Sequence, residues 1–446
     1  MVELIEIHFS MALGDSFVEN VGRGAAVLIL HLSDIHFRES EIGTTQDPNV
    51  HLRNEIRRDV IAQCRKLGPP DVIIVGGDVA FAGSTKEFNF ATDWLQDLCD
   101  ACGGTLQSVF VCPGNHDVVR DLADRNLVQL VHDKIKSSSD PSAEIANQMR
   151  DRDARRLMYE SLDNYNTFAL QFFCDLLPPD RTRATRDLLL NDGSTLRLWG
   201  LNTAFISSGK DKEGDLFVDP ASFQITRHDG VTNLVVAHHH LSWLREGIQF
   251  GYYLADVAPI QIFGHVHTNR IDMNVDYMRL TASAANPDRY EPGWEPGYNL
   301  LEVEVIRHDE QRKLRLRAHV RVWQEAPGGF EAKRYKGSDV WEHTIPLEPW
   351  DAPPAIAIPS PEHIVDTDRG PPPDGGSAMN SLRDLGLRFY RLSFSKKSEI
   401  AGRLELLEEE DMRQPDYERF RRVLLRANER SQLNELSAAV RAAELG

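Results

Sequence analysis

Aspartate, histidine and asparagine recur in five short motifs between residues 33 and 267. Imidazole and carboxylate groups without thiolate suit Mn, Fe, Zn and similar divalent ions. Asp78 has two carboxylate oxygens and can bridge two such ions, which at about 3.5–4 Å apart can hold a hydroxide and clamp a phosphoryl group. The motifs therefore predict a metal pair with phosphoryl chemistry. They are Ser33-Asp34-Ile35-His36, Gly76-Gly77-Asp78, Pro113-Gly114-Asn115-His116-Asp117, His238-His239-His240 and Gly264-His265-Val266-His267.

Each motif directly follows a short apolar run that is typical of a strand covered on both faces. Ligands gather at the carboxyl ends of strands in open α/β sheets, so these runs would bring the five motifs together. Strand-like and helical stretches alternate over this part of the chain, which indicates an α/β fold. The apolar runs are Ala26–Leu32, Val72–Val75, Ser108–Val111, Leu196–Leu201, Leu234–Ala237 and Ile260–Phe263, of which all but Leu196–Leu201 precede a motif.

After Asn299 the pattern changes to strict alternation, which predicts antiparallel strands with one solvated face. That face carries a basic stripe, which is either a phosphate-binding surface or one half of a set of cross-strand ion pairs. If residues 308–311 form a hairpin loop, Glu304 lies opposite Arg315 and Glu302 opposite Arg317, and we favour this pairing. The stripe consists of Lys313, Arg315, Arg317, His319 and Arg321.

Composition narrows the class of protein. The chain has 446 residues, of which 41% are hydrophobic and 26% charged, so a globular protein of two or three domains is expected and disordered or collagen-like classes are excluded. A net charge of −18 argues against a protein that coats nucleic acid or anionic lipid. No apolar run reaches the roughly 20 residues of a membrane span, and residues 1–24 lack a signal-peptide pattern. Five cysteines fit a reducing, cytoplasmic location.

Proline and glycine divide the chain into unequal parts. We predict an N-terminal extension over 1–24, an α/β domain over 25–345 with a helical insertion at about 118–195, a Pro/Gly-rich linker over 346–377 and a small helical bundle over 378–446. The bundle holds 13 basic and 12 acidic residues, a net of +1, so the remainder carries −18 − 1 = −19. The larger part is therefore too acidic to attract its ligand through a broad basic surface.

The five motifs resemble those of the calcineurin-like metallophosphoesterases, D-x-H, G-D, G-N-H-[DE], a histidine after a strand, and G-H-x-H. The resemblance implies a two-sheet β-sandwich flanked by helices with a dinuclear metal site. It implies that Asp34, His36, Asp78 and His267 hold the first ion, and that Asp78, Asn115, His239 and His265 hold the second. Many relatives read H-H-P where this chain reads His238-His239-His240-Leu241, so His238 is the alternative ligand to His239.

The same resemblance assigns His116 to the protonation of the leaving oxygen, while a metal-bridging hydroxide attacks phosphorus. Asp117, its neighbour, is a second catalytic candidate, with a supporting or turn role as the alternative. The implied cofactors are two divalent ions, with Mn first and Fe, Zn or Ni as alternatives.

Within the superfamily, Leu32-Ser33-Asp34-Ile35-His36-Phe37 and the stretch from Gly77-Asp78 to Glu87-Phe88 are most similar to the class III cyclic-nucleotide phosphodiesterases, although SbcD-type repair nucleases share the motifs. We therefore predict a phosphodiesterase acting on a small cyclic-nucleotide-type diester. The alternative is a metal-dependent nuclease that acts as a partner-activated effector in bacterial defence or signalling. Arginines of the insertion form either a salt-bridged helix surface, which we favour, or a cap that meets substrate phosphate.

The C-terminal bundle is similar to the death-like adaptor domains of bacterial conflict systems. Phe394-Ser395-Lys396-Lys397-Ser398-Glu399-Ile400-Ala401 and Phe420-Arg421-Arg422-Val423-Leu424 carry the similarity. A generic helical dimerisation module is the alternative. The bundle implies a protein partner or self-association through 378–446, with no membrane partner and with nucleic acid not favoured.

Overall fold

The computed structural model describes residues 26–220, 222–288, 293–308, 311–352 and 384–444. The predicted extension over 1–24 and most of the predicted linker, from residue 353 onward, lie outside the described residues.

Two mixed β-sheets form the centre of the α/β domain, here residues 26–352. In the first sheet, three parallel strands adjoin a large antiparallel part, in the order β12-β11-β10-β1-β2-β3, and β13 also pairs with β11. Its strands are β1 (Val27–Leu32), β2 (Val72–Val75), β3 (Val109–Val111), β10 (Gly297–His308), β11 (Gln311–Glu325), β12 (Gly328–Ala332) and β13 (Trp341–Pro346).

The second sheet has the order β4-β5-β6-β7-β9-β8, with a parallel centre and antiparallel edges. Its central strands β6 and β7 are buried at every position except Val231, as expected for strands covered on both faces. The strands are β4 (Arg183–Leu189), β5 (Thr195–Leu201), β6 (Val231–Ala237), β7 (Ile260–Phe263), β8 (Arg270–Met273) and β9 (Met278–Thr281). Buried residues of both sheets form one continuous hydrophobic core. The predicted sandwich of two sheets is confirmed.

Helices flank the sheets. An N-terminal capping box of Ser84 and Glu87 begins α2, and Gly103 in the left-handed conformation ends it. The helices of the α/β domain are α1 (Val50–Leu67), α2 (Thr85–Cys102), α3 (Arg120–Ala123), α4 (Asn126–Lys136), α5 (Pro141–Arg150), α6 (Arg152–Tyr159), α7 (Asp163–Ala169) and α8 (Gly247–Val257).

The helical insertion is shorter than its predicted extent. Its helices α3 to α7 and the short 3₁₀ turns that follow α6 and α7 end at Phe172, and residues 183–189 form the edge strand β4 instead of helix. Strand β4 alternates between buried and less buried positions, the pattern of a strand with one solvated face. We use the term helical insertion below for residues 120–172.

The basic stripe on β11 is explained by ion pairs. β10 and β11 pair with Glu304 opposite Arg315 and Glu302 opposite Arg317, in the predicted register. Arg315 Nη2 lies 2.5 Å from Glu304 Oε1, and Arg317 pairs with Glu302. The predicted cross-strand pairing is therefore confirmed.

The C-terminal helical unit, residues 384–444, has its own hydrophobic core. Phe389, Ile400, Phe420, Val423 and Leu436 are buried in it. The helix that contains Ile400 ends at Arg403, so Leu404 and Leu407 lie beyond it and pack on the core from outside that helix. The helices are α9 over residues 384–391, α10 (Phe394–Arg403), α11 (Asp416–Glu429) and α12 (Leu433–Glu444).

Among the described residues we find no helix that combines the length and the hydrophobicity needed to cross a bilayer.

Candidate metal centre

The five motifs converge at one edge of the molecule, because the parallel strands β1, β2, β3, β6 and β7 all end there. Backbone hydrogen bonds lock the first two motifs together. The amides of Asp34 and His36 donate to Gly77 O and Asp78 O, both at 3.0 Å. The backbone thus holds the first two motifs at a fixed distance before any metal is considered.

Glycines permit the close approach of these loops. A Cβ on Gly114 would lie 2.2 Å from Asp78 Oδ1, and one on Gly264 would lie 2.4 Å from Ser33 Oγ. Gly77 has a φ of +98°, and a Cβ there would lie 2.6 Å from the ring nitrogen Nδ1 of His238. Each motif glycine is therefore needed where two loops of the site touch.

A first group of ligand-type atoms surrounds Asp34. His267 Nε2 lies 3.2 Å from Asp34 Oδ1, and His36 Nε2 lies 3.2 Å from Asp78 Oδ2. Donor atoms of Asp34, His36 and His267 all lie within 4.8 Å of one another. The four residues predicted for the first ion are therefore in one place.

A second group surrounds His239. Its Nε2 lies 3.2 Å from Asn115 Oδ1, and its ring centroid lies 4.6 Å from that of His265. Donor atoms of His238, His239 and His265 lie within 4.8 Å of one another. Three of the four residues predicted for the second ion thus lie together, namely Asn115, His239 and His265. His238 lies between these three and Asp78, the fourth.

His238 lies between the two groups and is fully buried. Its Nδ1 donates to Gly76 O at 2.9 Å, and its Nε2 lies 3.2 Å from Asp78 Oδ2 and 3.9 Å from Asp34 Oδ1. Within the described residues this Nε2 has no hydrogen-bond partner of acceptable geometry. Burial would lower the pKa of His238, but the carboxylates of Asp78 and Asp34 raise it to about 9. Both His238 and His239 therefore aim a ring nitrogen into the centre, and the choice between them stays a prediction.

These observations test whether the residues fit a pair of divalent cations. Two buried carboxylates, Asp34 and Asp78, face ring nitrogens of several histidines. Burial would raise the pKa of Asp78, but His238 and His36 hold it well below its usual range, so it is ionised. A buried, ionised carboxylate at the centre of a ring of imidazoles attracts and can ligate cations of the transition-metal class. The residues at this site therefore fit a pair of divalent cations.

His116 stands at the rim of the first group. Its backbone amide donates to Asp78 Oδ1 at 2.7 Å, and its ring Nδ1 lies 2.8 Å from Phe81 O. The ring stacks on Phe81 at 5.0 Å and meets the ring of His36 edge-on at 4.8 Å. Burial lowers the pKa of His116. On the other side of the centre, the Trp243 ring lies 4.2 Å from that of His265.

Asp117 does not face the rim. It is fully buried, and its two oxygens accept hydrogen bonds from the amides of Ala80 and Gly114, both at 2.9 Å. These contacts tie the Asp78 loop to the Asn115 loop. Of the two roles considered from the sequence, the geometry supports the supporting one rather than direct catalysis.

Thr203 was missed by the sequence analysis. Its Oγ1 lies 2.7 Å from His239 Nδ1 and also accepts the amide hydrogen of His239 at 3.2 Å. The contact fixes which ring nitrogen of His239 faces the centre. Thr203 follows β5, so the strand-end rule that located the other motifs could have found it.

Comparisons with known proteins agree with this geometry. Residues 27–269 match the family model of the calcineurin-like phosphoesterases, and residues 381–442 match that of the GTPase-associated adaptor domain. The chain is 24% identical over 283 residues to the uncharacterized metallophosphoesterase-like protein YydB of Bacillus subtilis, a match that covers 59% of this chain. The chain spans about half, 54%, of that relative.

Solved structures with low overall similarity include a predicted phosphoesterase from Streptococcus pneumoniae, at 12% identity and a TM-score of 0.28 over 72% of this chain and 98% of that one. Another is Vacuolar Protein Sorting 29 from Cryptosporidium parvum, at 10% identity and a TM-score of 0.31 over 73% of this chain and 100% of that one. The family assignment rests on the model match, which covers more than half of the chain together with all five motifs. This chain belongs to the calcineurin-like phosphoesterase family.

Proposed function

We propose that this protein is a dinuclear-metal-dependent phosphodiesterase. The observation that carries the proposal is the convergence of two groups of ligand-type atoms, joined through Asp78 and His238 and bordered by His116.

Asp34, His36, Asp78 and His267 would hold one ion in this proposal. Asp78, Asn115, His239 and His265 would hold the other, with His238 as the alternative to His239. When bound, such ions supply Lewis acidity toward a phosphoryl group and lower the pKa of water toward neutrality. Mn is the first choice, and Fe, Zn and Ni are the alternatives, because nitrogen and oxygen ligands suit all four.

His116 is proposed to protonate the leaving oxygen. Because Phe81 O can only accept, Nδ1 of His116 carries a hydrogen, and Nε2 is the atom left to exchange a proton with substrate. The stacked Phe81 ring and the amide bond to Asp78 fix the orientation of the imidazole. A pKa lowered by burial makes the imidazolium a stronger acid toward a departing alkoxide.

A small diester of the cyclic-nucleotide type is the proposed substrate. The net charge of −19 outside the C-terminal part supports this choice, because a nuclease tracks its strand with a basic groove. A cytoplasmic location fits the five free, buried cysteines. The second candidate, a partner-activated nuclease, is favoured by the adaptor-domain match at residues 381–442.

The test loads purified protein with Mn²⁺ and offers 3′,5′-cyclic nucleotides, single-stranded DNA and bis(p-nitrophenyl) phosphate in parallel reactions. We expect nucleoside monophosphates from the cyclic substrates, intact DNA, and loss of activity in Asp78→Asn and His116→Ala. Asp97→Asn, an exposed change on α2, is the matched control and should behave as wild type. Shortened DNA would favour the nuclease. No hydrolysis of any diester by metal-loaded protein would refute the proposal.

A further inference from the structure

The arginines of the helical insertion do not share one environment. Arg125 pairs with Glu160, and Arg156 Nη2 lies 2.5 Å from Asp163 Oδ2, so these two form the salt-bridged surface expected of exposed helices. Arg120 differs from them. It is half-buried, it begins α3 four residues after His116, and within the described residues it has no carboxylate partner.

The contact between Arg120 and His116 leaves the guanidinium without an anionic acceptor among the described residues. Arg120 Nη2 lies 3.0 Å from His116 Nδ1 and 3.4 Å from Nε2. Because Nδ1 donates its hydrogen to Phe81 O, it offers no lone pair to Arg120, and Nε2 at 3.4 Å is the only ring nitrogen that can accept from Nη2. The guanidinium at the rim of the metal centre thus has a neutral acceptor at long distance, and an anionic oxygen beside the ring would bind it more strongly.

A second guanidinium on the same aromatic ring is already neutralised. Arg38 Cζ lies 3.7 Å from the Phe81 ring centroid and its Nη2 lies 3.6 Å from Asp288 Oδ2. Arg120 Cζ lies 5.9 Å from that centroid, on a ring that also stacks on His116. Arg120 is thus the positive charge nearest to the proposed acid that lacks a counter-charge among the described residues.

We propose that Arg120 binds a non-bridging phosphate oxygen of the substrate beside His116, which makes the helical insertion part of the substrate site. The inference rests on the proposed function, since it names a further residue of the same site. A planar guanidinium presents its donors in a fork that matches two phosphate oxygens, which a lysine ammonium cannot reproduce. The ligand class is a phosphate ester anion, and inorganic phosphate is the simplest probe of it.

The test compares Arg120→Ala, Arg120→Lys and the control Arg125→Ala in Mn²⁺-loaded full-length protein. Calorimetry measures the Kd of inorganic phosphate, metal analysis measures bound Mn²⁺, and bis(p-nitrophenyl) phosphate gives kcat and KM. For Arg120→Ala we expect a phosphate Kd and a KM raised about 10- to 100-fold, the loss of one charge-assisted hydrogen-bonded pair, with metal content unchanged. Arg120→Lys should recover part of this loss, and Arg125→Ala should stay within about twofold of wild type.

An unchanged phosphate Kd in Arg120→Ala would overturn the inference, whether or not the wild type hydrolyses diesters. Loss of Mn²⁺ together with phosphate affinity would also overturn it, because Arg120 would then hold the centre together rather than the substrate. If the wild type binds phosphate through Arg120 but cleaves no diester, the inference stands and the proposed function fails.

Discussion

Five side chains of the metal centre stand on backbone with positive φ, between 51° and 69°, a conformation that costs roughly 1–2 kcal/mol for a residue with a Cβ. Only nine non-glycine residues of the described chain adopt such values. Strain of this kind persists where surrounding contacts enforce it. Backbone bonds between the loops, rather than side-chain packing alone, therefore aim the ligands at one another. The five are Asp34, His36, Asp78, His265 and His267.

Gly114 offers a direct test of this enforced approach. In Gly114→Ala the new Cβ would lie 2.2 Å from Asp78 Oδ1, so the carboxylate or the Asn115 loop must move. We expect Mn²⁺ affinity, measured by calorimetry, to fall about 10-fold or more. The matched change Gly402→Ala, which meets no atom within 4 Å, should leave affinity unchanged. Equal Mn²⁺ affinity in the two variants would show that the loops have more freedom than these distances imply.

Thr203 should tune the second group of ligands. Thr203→Val keeps the shape of the side chain but removes the hydroxyl that contacts His239 Nδ1 at 2.7 Å. Partners of this kind typically contribute 10- to 100-fold to metal affinity, so we expect a loss of about that size at one of two Mn²⁺ sites. Thr167→Val, which removes an exposed hydroxyl on α7, is the control. A loss at both sites, or at neither, would contradict the role assigned to Thr203.

At the scale of elements, one buried side chain joins the start of a helix to the loops that follow two strands. Glu87, in the first turn of α2, accepts hydrogen bonds from the amides of Glu39, Ala82 and Ser84, each at 3.0 Å. It is 1% exposed. One carboxylate thus caps a helix and also fixes the turns that follow the His36 and Asp78 loops.

Glu87→Ala should therefore destabilise the fold more than the loss of an ordinary helix cap. Three amides lose the buried, charged acceptor that they share, and we expect the free energy of unfolding, measured with urea, to fall by about 3 kcal/mol. Asp97→Ala on the exposed side of the same helix should change it by less than about 0.5 kcal/mol. A Glu87→Ala effect as small as that of the control would mean that water satisfies these amides.

The strand-end motifs were predictable because their physical signal is local. An apolar run followed by ligand-type residues marks both the strand and its functional end, so β2 and β7 match their predicted bounds and the hairpin register of Glu304 with Arg315 was correct. Long-range contacts carry no such signal. Thr203 stands at a strand end, but nothing in the sequence indicates that its hydroxyl meets His239. Arg120 lies only four residues after His116, but its residue type does not show that it turns toward that ring. The ends of the insertion at Phe172 and of α10 at Arg403 also emerge only from the structure.

At the scale of the whole molecule, the C-terminal helical unit rests, through buried charges, on residues 173–182, which directly follow the helical insertion. Arg181 Nη2 lies 2.6 Å from Asp175 Oδ2 and 2.8 Å from Glu418 Oε2, and Arg421 Nε lies 3.8 Å from Asp175 Oδ2. Burial would raise the pKa of Asp175, but Arg181 and Arg421 hold it below its ordinary value. Tyr417 contacts the carbonyl of Leu176 at 3.5 Å. The adaptor-like unit is thus attached beside the helical insertion, whose first helix supplies Arg120.

Buried ion pairs are poor sources of net stability but are costly to break, because the remaining charge is left without a partner. Arg181→Ala or Glu418→Ala should each weaken the docking, and hydrogen exchange in α7 and α11, read by mass spectrometry, should rise in both. A double-mutant cycle on the free energy of unfolding should give a coupling of about 1–3 kcal/mol, since both side chains are at most 14% exposed.

The control pair is Arg388 and Glu444, which lie 2.6 Å apart within the C-terminal unit and are more exposed than Arg181 and Glu418. Solvent screens that pair, so its coupling should stay below about 1 kcal/mol and its loss should leave exchange in α7 unchanged. Equal coupling for the two pairs would mean that the charges of Arg181 and Glu418 are solvated and that apolar contacts alone hold the units together. If undocking of the C-terminal unit disturbs Arg120, the phosphate Kd should change. If undocking leaves Arg120 in place, the phosphate Kd should stay the same, so this one constant reports whether the interface is linked to the substrate site.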